Sequence, residues 1–437
     1  MRKRSSRRAS SVSEVKREFL QARYDGVIEK LYALTDFKWA LGLNRLSLRL
    51  MGVWPGDDEA EGLGRLAILL RVPFMIAAMF FCLFLPQMGA LALVIHELPL
   101  VIDNLMTSCA AFTCCIKLYF VWRSKQVLRP VIQSVSADWL RPKLDWEREA
   151  MIREASRARI FTVSGYAVLA GCYTGFAFAP LFGFDIRMIS NITDYGEKHL
   201  LVQSYFPYDY SKSPNYEITQ VSQLIAGFFI GMSVSVPDNY FGALLFHASA
   251  QFEILGANLE NLVRQDDKAL RSRQFNRRFG IFVDRHVHLM TMVTAVEYSF
   301  SFVIMAQIFC MSIMVCSLGF QILGMIEGTT ADKPSLLQVL TLLGTLFTLM
   351  MHTLVDCFAC ETLELRSAGI FENVYNSRWY TVPKQSVAKD VIPMMVVSKN
   401  PRKLTAGKIF TLSLATYCSI LKSTAGYISM LIAVNRR

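Results

Sequence analysis

Five charged side chains lie inside otherwise apolar stretches of this 437-residue sequence, and they are the first candidates for chemistry. They are Asp103, Lys117, Asp238, Asp356 and Lys422. Charges in such stretches are costly and are retained for function or in pairs. Because these five lie at scattered depths on different segments, we expect structural pairing of the acids rather than a shared catalytic centre.

The remaining reactive side chains do not form a recognisable site either. The sequence has none of the short motifs of common hydrolases, metalloproteases or nucleotide-binding proteins. Cys357 and Cys360 form a CxxC pair, but a zinc site needs further ligands at suitable spacing. His286 and His288 diverge by about 200° on a helix and so do not share a metal ion. The sequence therefore predicts no enzyme activity, no metal and no cofactor.

Apolar stretches long enough to cross a bilayer define the class of the protein. Hydrophobic residues make up 53% of the chain, charged residues only 19%, and the mean hydropathy is +0.33. About 20 apolar residues in a helix span the hydrocarbon core. Seven stretches qualify, at 66–88, 98–121, 160–182, 217–246, 298–326, 336–358 and 408–434. We therefore predict an all-α membrane protein with seven transmembrane helices.

The distribution of lysine and arginine predicts the orientation of these helices. Counted between the spans, alternate segments hold 36 basic residues on one side and 4 on the other. Basic loops stay cytoplasmic during insertion, so we expect the N-terminus inside and the C-terminus outside. The basic cytoplasmic segments account for the net charge of +11, so we expect no nucleic acid partner. The sequon at Asn191 falls in a predicted outer loop, which makes Asn191 the candidate glycosylation site.

Four regions follow from this layout. Residues 1–65 form a cytoplasmic tail with an amphipathic or re-entrant helix, and residues 66–358 hold transmembrane helices one to six. Residues 359–407 form a cytoplasmic anchor region, and residues 408–437 hold the seventh helix. Apolar residues recur at helical spacing beyond the fourth span, and neither proline nor glycine interrupts 283–318. We therefore expect the helices to extend beyond the bilayer and to pack there as a cytoplasmic helical anchor bundle.

The triplet Asp284-Arg285-His286 raises an alternative function, because G-protein-coupled receptors with seven helices carry a similar triplet. Here it lies before the fifth span rather than after the third, and no NPxxY motif follows in the seventh. The basic residues also place the N-terminus on the opposite side of the membrane. A metabotropic receptor of this kind is the alternative to the function considered next.

Three stretches together resemble the insect odorant receptor family. They are FHASAQFEILGANLENL after the fourth span, the segment from ETLELRSAGIFENVYNSRWYTVPKQSVAKD to LTAGKIF, and the terminal SLATYCSILKSTAGYISML. The spacing from Leu404 through Lys422 to Tyr427 is distinctive. The resemblance covers the C-terminal half by motif and the whole chain by layout. The sequence departs from the family at Ala425-Gly426, where members often carry bulkier residues.

The resemblance implies an odorant-tuning subunit of a ligand-gated, non-selective cation channel that assembles as a tetramer around a central pore. It implies a heterotetramer with the odorant receptor co-receptor, whose long cytoplasmic insertion this chain lacks. It also implies a small volatile organic ligand, contact with membrane lipid, and a place in the plasma membrane of a sensory neuron dendrite.

The same resemblance implies a split seventh helix whose outer part lines the pore. Lys422 would mark the division, or would snorkel inward as a lone lysine. Four side chains of the outer part share one face by their helical spacing: Ser423, Tyr427, Met430 and Val434. The apolar ring that forms the gate in this family matches Met430 here, with Ala433 nearby, and such a ring closes by dewetting.

By resemblance, the ligand binds among the outer halves of spans two to six. The candidate pocket residues are aromatic or apolar: Met106, Tyr166, Tyr173, Phe176, Phe228 and Phe347. Such a lining favours apolar odorants, because burying apolar surface stabilises binding by about 25 cal/mol per Å². Burial of this kind does not require a precise ligand shape. Ordinary core packing is the alternative role for each of these residues.

Overall fold

A computed structural model of the chain describes residues 32–56, 62–178, 200–262, 272–326, 336–381 and 385–435. Helices dominate these ranges. In chain order they are α1 (32–51), α2 (Gly62–Met79), α3 (Leu85–Leu93), α4 (Leu98–Arg123), α5 (Lys125–Leu140), α6 (Asp145–Phe178), α7 (Asn215–Glu260), α8 (Ser272–Ile326), α9 (Leu336–Asn376), α10 (Gln385–Ser398) and α11 (Leu414–Asn435). A π-helical turn, Phe80–Phe84, joins α2 to α3.

Six helical segments within the described ranges are long and apolar enough to cross a membrane. They are Gly64–Leu93, Leu98–Arg123, Asp145–Phe178, Asn215–Glu260, Arg277–Ile322 and Gln338–Asn376. The prediction of an all-α membrane protein with many helices is thus confirmed. The predicted seventh span, which corresponds to α11, is not among these six. Several side chains at the end of α11 lie outside the described residues, so the seventh span stays a prediction.

Three helices are much longer than a bilayer requires. α7 has 46 residues, α8 has 55 and α9 has 41. At 1.5 Å per residue, α8 is about 80 Å long. The predicted continuation of these helices beyond their apolar spans is confirmed. α7 is the central helix of the bundle and packs along α4, α6, α8 and α9.

The chain between α10 and α11 forms a short antiparallel hairpin. Thr405 pairs with Thr411 and Ala406 with Phe410. Gly407 in the turn has a φ angle of +59°, which glycine adopts without steric cost. Because this hairpin occupies the predicted beginning of the last helix, α11 begins at Leu414 rather than at residue 408.

The resemblance predicts that the last helix is divided at Lys422, but the structure has no break there. α11 runs unbroken through Lys422, whose side chain is exposed. The break in the helical path lies instead between α10, which ends at Ser398, and α11. The hairpin, rather than a charged side chain, interrupts the helix, because its turn conformation cannot continue an α-helix.

A buried ionic cluster joins α5 to α7 and α8. Asp138 Oδ1 accepts a hydrogen bond from Arg285 Nη2 at 2.6 Å, and Asp138 Oδ2 lies 3.1 Å from His247 Nε2. Burial by itself raises the pKa of Asp138, but the hydrogen bonds and charges of His247 and Arg285 outweigh it, so the pKa lies below its ordinary value. The arginine of the Asp284-Arg285-His286 triplet therefore has a structural partner.

Candidate functional site

A cavity of about 210 Å³ lies between α4, α6, α8 and α9. It brings together Met106 and Phe176, two of the six predicted pocket residues, which lie far apart in the sequence. Other apolar side chains complete much of its wall: Ala110, Leu201, Val202, Met314, Leu318 and Leu342. Because it is concave and mainly apolar, this cavity is the candidate binding site.

The segment before α7 closes one side of the cavity. Residues 200–204 are all buried. The backbone N–H of Tyr205 donates to the carbonyl of Pro86 at 2.9 Å, which ties the segment to α3. Gln223 Nε2 donates to Ser204 Oγ at 3.0 Å, which ties it to α7. These two hydrogen bonds hold the segment in place against the helices.

Polar side chains also line the cavity: one carboxylate, three amides and three hydroxyls. They are Asp103, Gln203, Gln321, Gln338, Thr107, Thr341 and Thr345. Gln321 Nε2 donates to Asp103 Oδ1 at 3.1 Å and so joins α8 to α4 across the cavity wall. Sequence reasoning singled out Asp103 as a charge in an apolar stretch but missed the glutamines. A neutral amide belongs to no motif here, and Gln203 lies outside the helices.

Tyr173 and Phe228 lie together, outside this cavity lining. Their rings pack edge to face with centroids 5.7 Å apart. The hydroxyl of Tyr173 donates to the carbonyl of Leu224 at 3.0 Å. Phe228 is about half exposed on α7. The pair therefore packs α6 against α7.

Tyr166 and Phe347 also lie apart from the cavity of Met106 and Phe176. The hydroxyl of Tyr166 donates to Ser47 Oγ at 2.8 Å, which links α6 to α1. Phe347 lines a smaller cavity of about 80 Å³ that also borders Asp238 and His352. The six predicted pocket residues are thus distributed over four places in the fold.

Asp238 is the centre of a buried polar cluster next to the smaller cavity. Its carboxylate accepts hydrogen bonds from Lys117 of α4 at 2.7 Å and from Gln307 of α8 at 3.2 Å. His352 Nδ1 of α9 lies 3.3 Å from the same carboxylate. Gln307 also donates to Asp356 at 3.4 Å. The structural pairing predicted for Asp238 is confirmed, and it joins four helices.

Three of the predicted pore residues line one groove on α11. Ser423, Tyr427 and Met430 face a space of about 1090 Å³ between α11, α4 and α8. The side chains of Tyr427 and Met430 are 59% and 65% exposed in the single chain, and Ala433 is exposed as well. The side chain of Val434 and the whole of Asn191 lie outside the described part of the structure.

The beginning of α11 is fixed to both α8 and α9. The N–H of Gly407 donates to the carbonyl of Ser301 at 2.9 Å, and Ser301 Oγ donates to the carbonyl of Thr405 at 2.6 Å. On the other side, the N–H of Leu414 donates to Glu361 Oε2 at 2.8 Å. A carboxylate at this position caps the first turn of the helix.

The fold and its cavity define a multi-pass helical membrane protein with a candidate binding cavity inside its bundle. Residues 97–425 match the family described as 7tm Odorant receptor. Because this match covers most of the chain, the protein belongs to the insect odorant receptor family. That family consists of olfactory membrane proteins and not of enzymes.

A curated relative and two solved structures are similar to this chain. Odorant receptor 13a of Drosophila melanogaster is 21% identical over 240 residues, covering 52% of this chain and 56% of that protein. The chain therefore matches only about half the length of that relative.

The structure of the olfactory receptor OR5 from Machilis hrabei has a TM-score of 0.76, and its complex with eugenol has one of 0.75. Both are 15% identical, covering 92% of this chain and 99% of OR5. At this identity the likeness establishes a shared fold.

Proposed function

We propose that this chain is an odorant-tuning subunit of a ligand-gated, non-selective cation channel. It binds a small volatile organic molecule in the 210 Å³ cavity and opens a central pore lined by α11. The single observation that carries the proposal is this mainly apolar cavity in a fold shared with an olfactory receptor whose structure contains eugenol. Burial of apolar ligand surface supplies most of the affinity.

The same two helices connect the cavity to the pore helix. α8 contributes Met314 and Leu318 to the cavity, and its residue Ser301 holds the hairpin before α11. α9 contributes Leu342 and caps α11 through Glu361. A ligand that shifts α8 or α9 therefore displaces the beginning of α11. In this proposal the displacement opens the pore.

The pore face of α11 consists of Ser423, Tyr427 and Met430, continued by Ala433 and Val434. Met430 forms the hydrophobic gate, which closes when water leaves the constriction. The exposure of Tyr427 and Met430 in the single chain supports an assembly in which this face meets other subunits and the conduit. The partner is the odorant receptor co-receptor, and the assembly is a heterotetramer.

The proposed orientation has the N-terminus inside the cell and the C-terminus outside. The 36 to 4 division of basic residues between alternate segments supports it. The assembled channel lies in the plasma membrane of a sensory neuron dendrite, with Asn191 glycosylated on the outer side. The anchor formed by the extended helices and α10 then lies in the cytoplasm.

The test is to record currents in cells that express this chain with and without the co-receptor while a panel of volatile molecules is applied. We expect an odorant-evoked cation current that requires this chain and begins without a soluble messenger. A tag after Arg437 should be reachable in intact cells. Odorant-evoked second-messenger signals without current, together with an extracellular N-terminus, would instead support the metabotropic alternative.

A further inference from the structure

Gln203 has an amide with no hydrogen-bond partner in the described structure. The residue is 1% exposed, and both Oε1 and Nε2 are buried without a partner. Buried polar side chains are almost always hydrogen-bonded, since leaving them unpaired after their removal from water is unfavourable. Gln203 lines the 210 Å³ cavity, so a molecule bound there can supply the missing partner once the amide turns toward it.

The main chain around Gln203 keeps this residue at the cavity. Hydrogen bonds of the neighbouring Ser204 and Tyr205 fix the segment to α7 and α3. On the other side, Val202 packs into a buried apolar cluster with Leu83 and Ala226. The segment is thus held on both sides of Gln203, which keeps its amide from turning to water.

The other polar groups of the cavity narrow the chemistry of the ligand. Asp103 is an acceptor when ionised, and it already accepts from Gln321. A carboxylate in the wall disfavours an anionic ligand by charge repulsion. Gln203 offers one acceptor and one donor group. A hydroxyl group matches this setting, because it both donates and accepts hydrogen bonds.

We propose that Gln203 is the polar anchor of the cavity and that the ligand is a small, neutral molecule with a hydroxyl group. This inference rests on the proposed function and names the class of odorant. The hydroxyl bonds to the Gln203 amide, while an alkyl or aryl body contacts Met106, Phe176 and Leu318. The cavity volume of about 210 Å³ lies below the range of pockets for drug-sized molecules, which limits the ligand to a compact alcohol or phenol.

The experiment compares three probes with the same number of heavy atoms: n-hexanol, methyl pentyl ether and n-heptane. n-Hexanol carries a hydroxyl group, which donates and accepts hydrogen bonds. The ether oxygen only accepts them, and n-heptane has no polar group. Dose–response currents are recorded from the full chain with the co-receptor. The variant is Gln203→Met, which preserves the length of the side chain but removes the amide. Gln220→Met is the matched control, because Gln220 Oε1 is also buried without a partner but does not line the cavity.

We expect the wild-type channel to respond to n-hexanol at lower concentration than to the ether or the alkane. Gln203→Met should raise the half-maximal concentration of n-hexanol about tenfold, the effect of losing one net hydrogen bond. The same variant should respond to n-heptane unchanged or more strongly, since binding an apolar molecule no longer leaves a buried amide unpaired. Gln220→Met should retain the wild-type preference, and Gln203→Asn should retain part of it.

Two results would overturn the inference. One is a wild-type channel that conducts but shows no preference for the alcohol over its alkane counterpart. The other is a Gln203→Met channel in which all three probes shift equally at normal surface expression. Both leave the proposed function intact, provided that odorants evoke current. If surface-expressed chain and co-receptor give no odorant-evoked current with any volatile, the proposed function itself fails.

Discussion

Lys117 of α4 and Asp238 of α7 form a buried ion pair in the middle of the helix bundle. Lys117 Nζ lies 2.7 Å from Oδ1 and 2.8 Å from Oδ2 of Asp238. The two side chains are only 2% and 7% exposed. Nζ also donates to the carbonyl of Val234 at 3.2 Å, so that its hydrogen-bonding capacity is used. An unpaired charge here is unfavourable, and the pair therefore fixes how α4 sits against α7.

Removing one partner of this pair should destabilise the fold more than removing both. We expect Asp238→Asn or Lys117→Met alone to lower the free energy of unfolding by about 3–5 kcal/mol, because a buried charge loses its partner. The double variant should recover part of that loss. Thermal unfolding of the purified chain in detergent measures both effects. Losses that simply add in the double variant would show that the two charges do not interact.

Phe176→Ala should change which sizes of odorant activate the channel. Phe176 lines the cavity, and its truncation creates space that a longer odorant fills. The half-maximal concentration should therefore fall for larger homologues relative to smaller ones. Phe228→Ala is the control, since Phe228 is half exposed and packs against Tyr173 instead. Identical odorant preferences in wild type and Phe176→Ala would remove Phe176 from the site.

Gly319→Val should separate α11 from α8. A Cβ atom at Gly319 would overlap the side chain of Ile428 on α11, so a larger residue forces the helices apart. We expect altered resting and odorant-evoked currents at near-normal surface expression. Gly280→Ala on the same helix is the control, because nothing lies near a Cβ atom there. Equal behaviour of the two variants would mean that this contact does not influence the pore.

Glu361→Ala should weaken the start of α11. The carboxylate of Glu361 caps the N–H of Leu414, and loss of a cap costs about 1 kcal/mol. Because the same contact joins α9 to α11, the variant should need several times more odorant for half-maximal current. Glu372→Ala, at an exposed position of α9, provides the comparison. A normal dose–response curve for Glu361→Ala would separate this cap from gating.

Met430→Ser should raise the resting current of the assembled channel. A hydroxyl in place of the thioether side chain makes a hydrophobic constriction easier to wet. Ala425→Ser introduces a hydroxyl at another exposed position of α11 and should leave the resting current unchanged. Currents are compared at matched surface expression, without odorant. A silent Met430→Ser channel that still opens with odorant would contradict the proposed gate.

The class of this protein could be predicted from the sequence because hydropathy is a local property. Each apolar stretch indicates a span whatever its neighbours are. Local patterns also predict that α7 and α8 extend beyond their apolar spans. For α7 the pattern is the helical periodicity after Leu244, and for α8 it is the absence of helix breakers in 283–318. The motifs from Leu404 to Tyr427 identified the family for the same reason.

The details of the site depended on which helix faces meet, and only the tertiary structure decided that. Met106 and Phe176 share a cavity while Tyr173 and Phe228 pack elsewhere, although all four are apolar or aromatic residues at similar positions in their spans. The hairpin at Thr405 is stabilised by Ser301, about a hundred residues earlier.

Gln203 gave no signal in the sequence, because an amide in a loop becomes informative only when surrounding helices bury it and leave it without a partner. Such contacts join residues far apart in the chain. Local patterns cannot encode them, since the free energy of packing depends on the complete arrangement of helices.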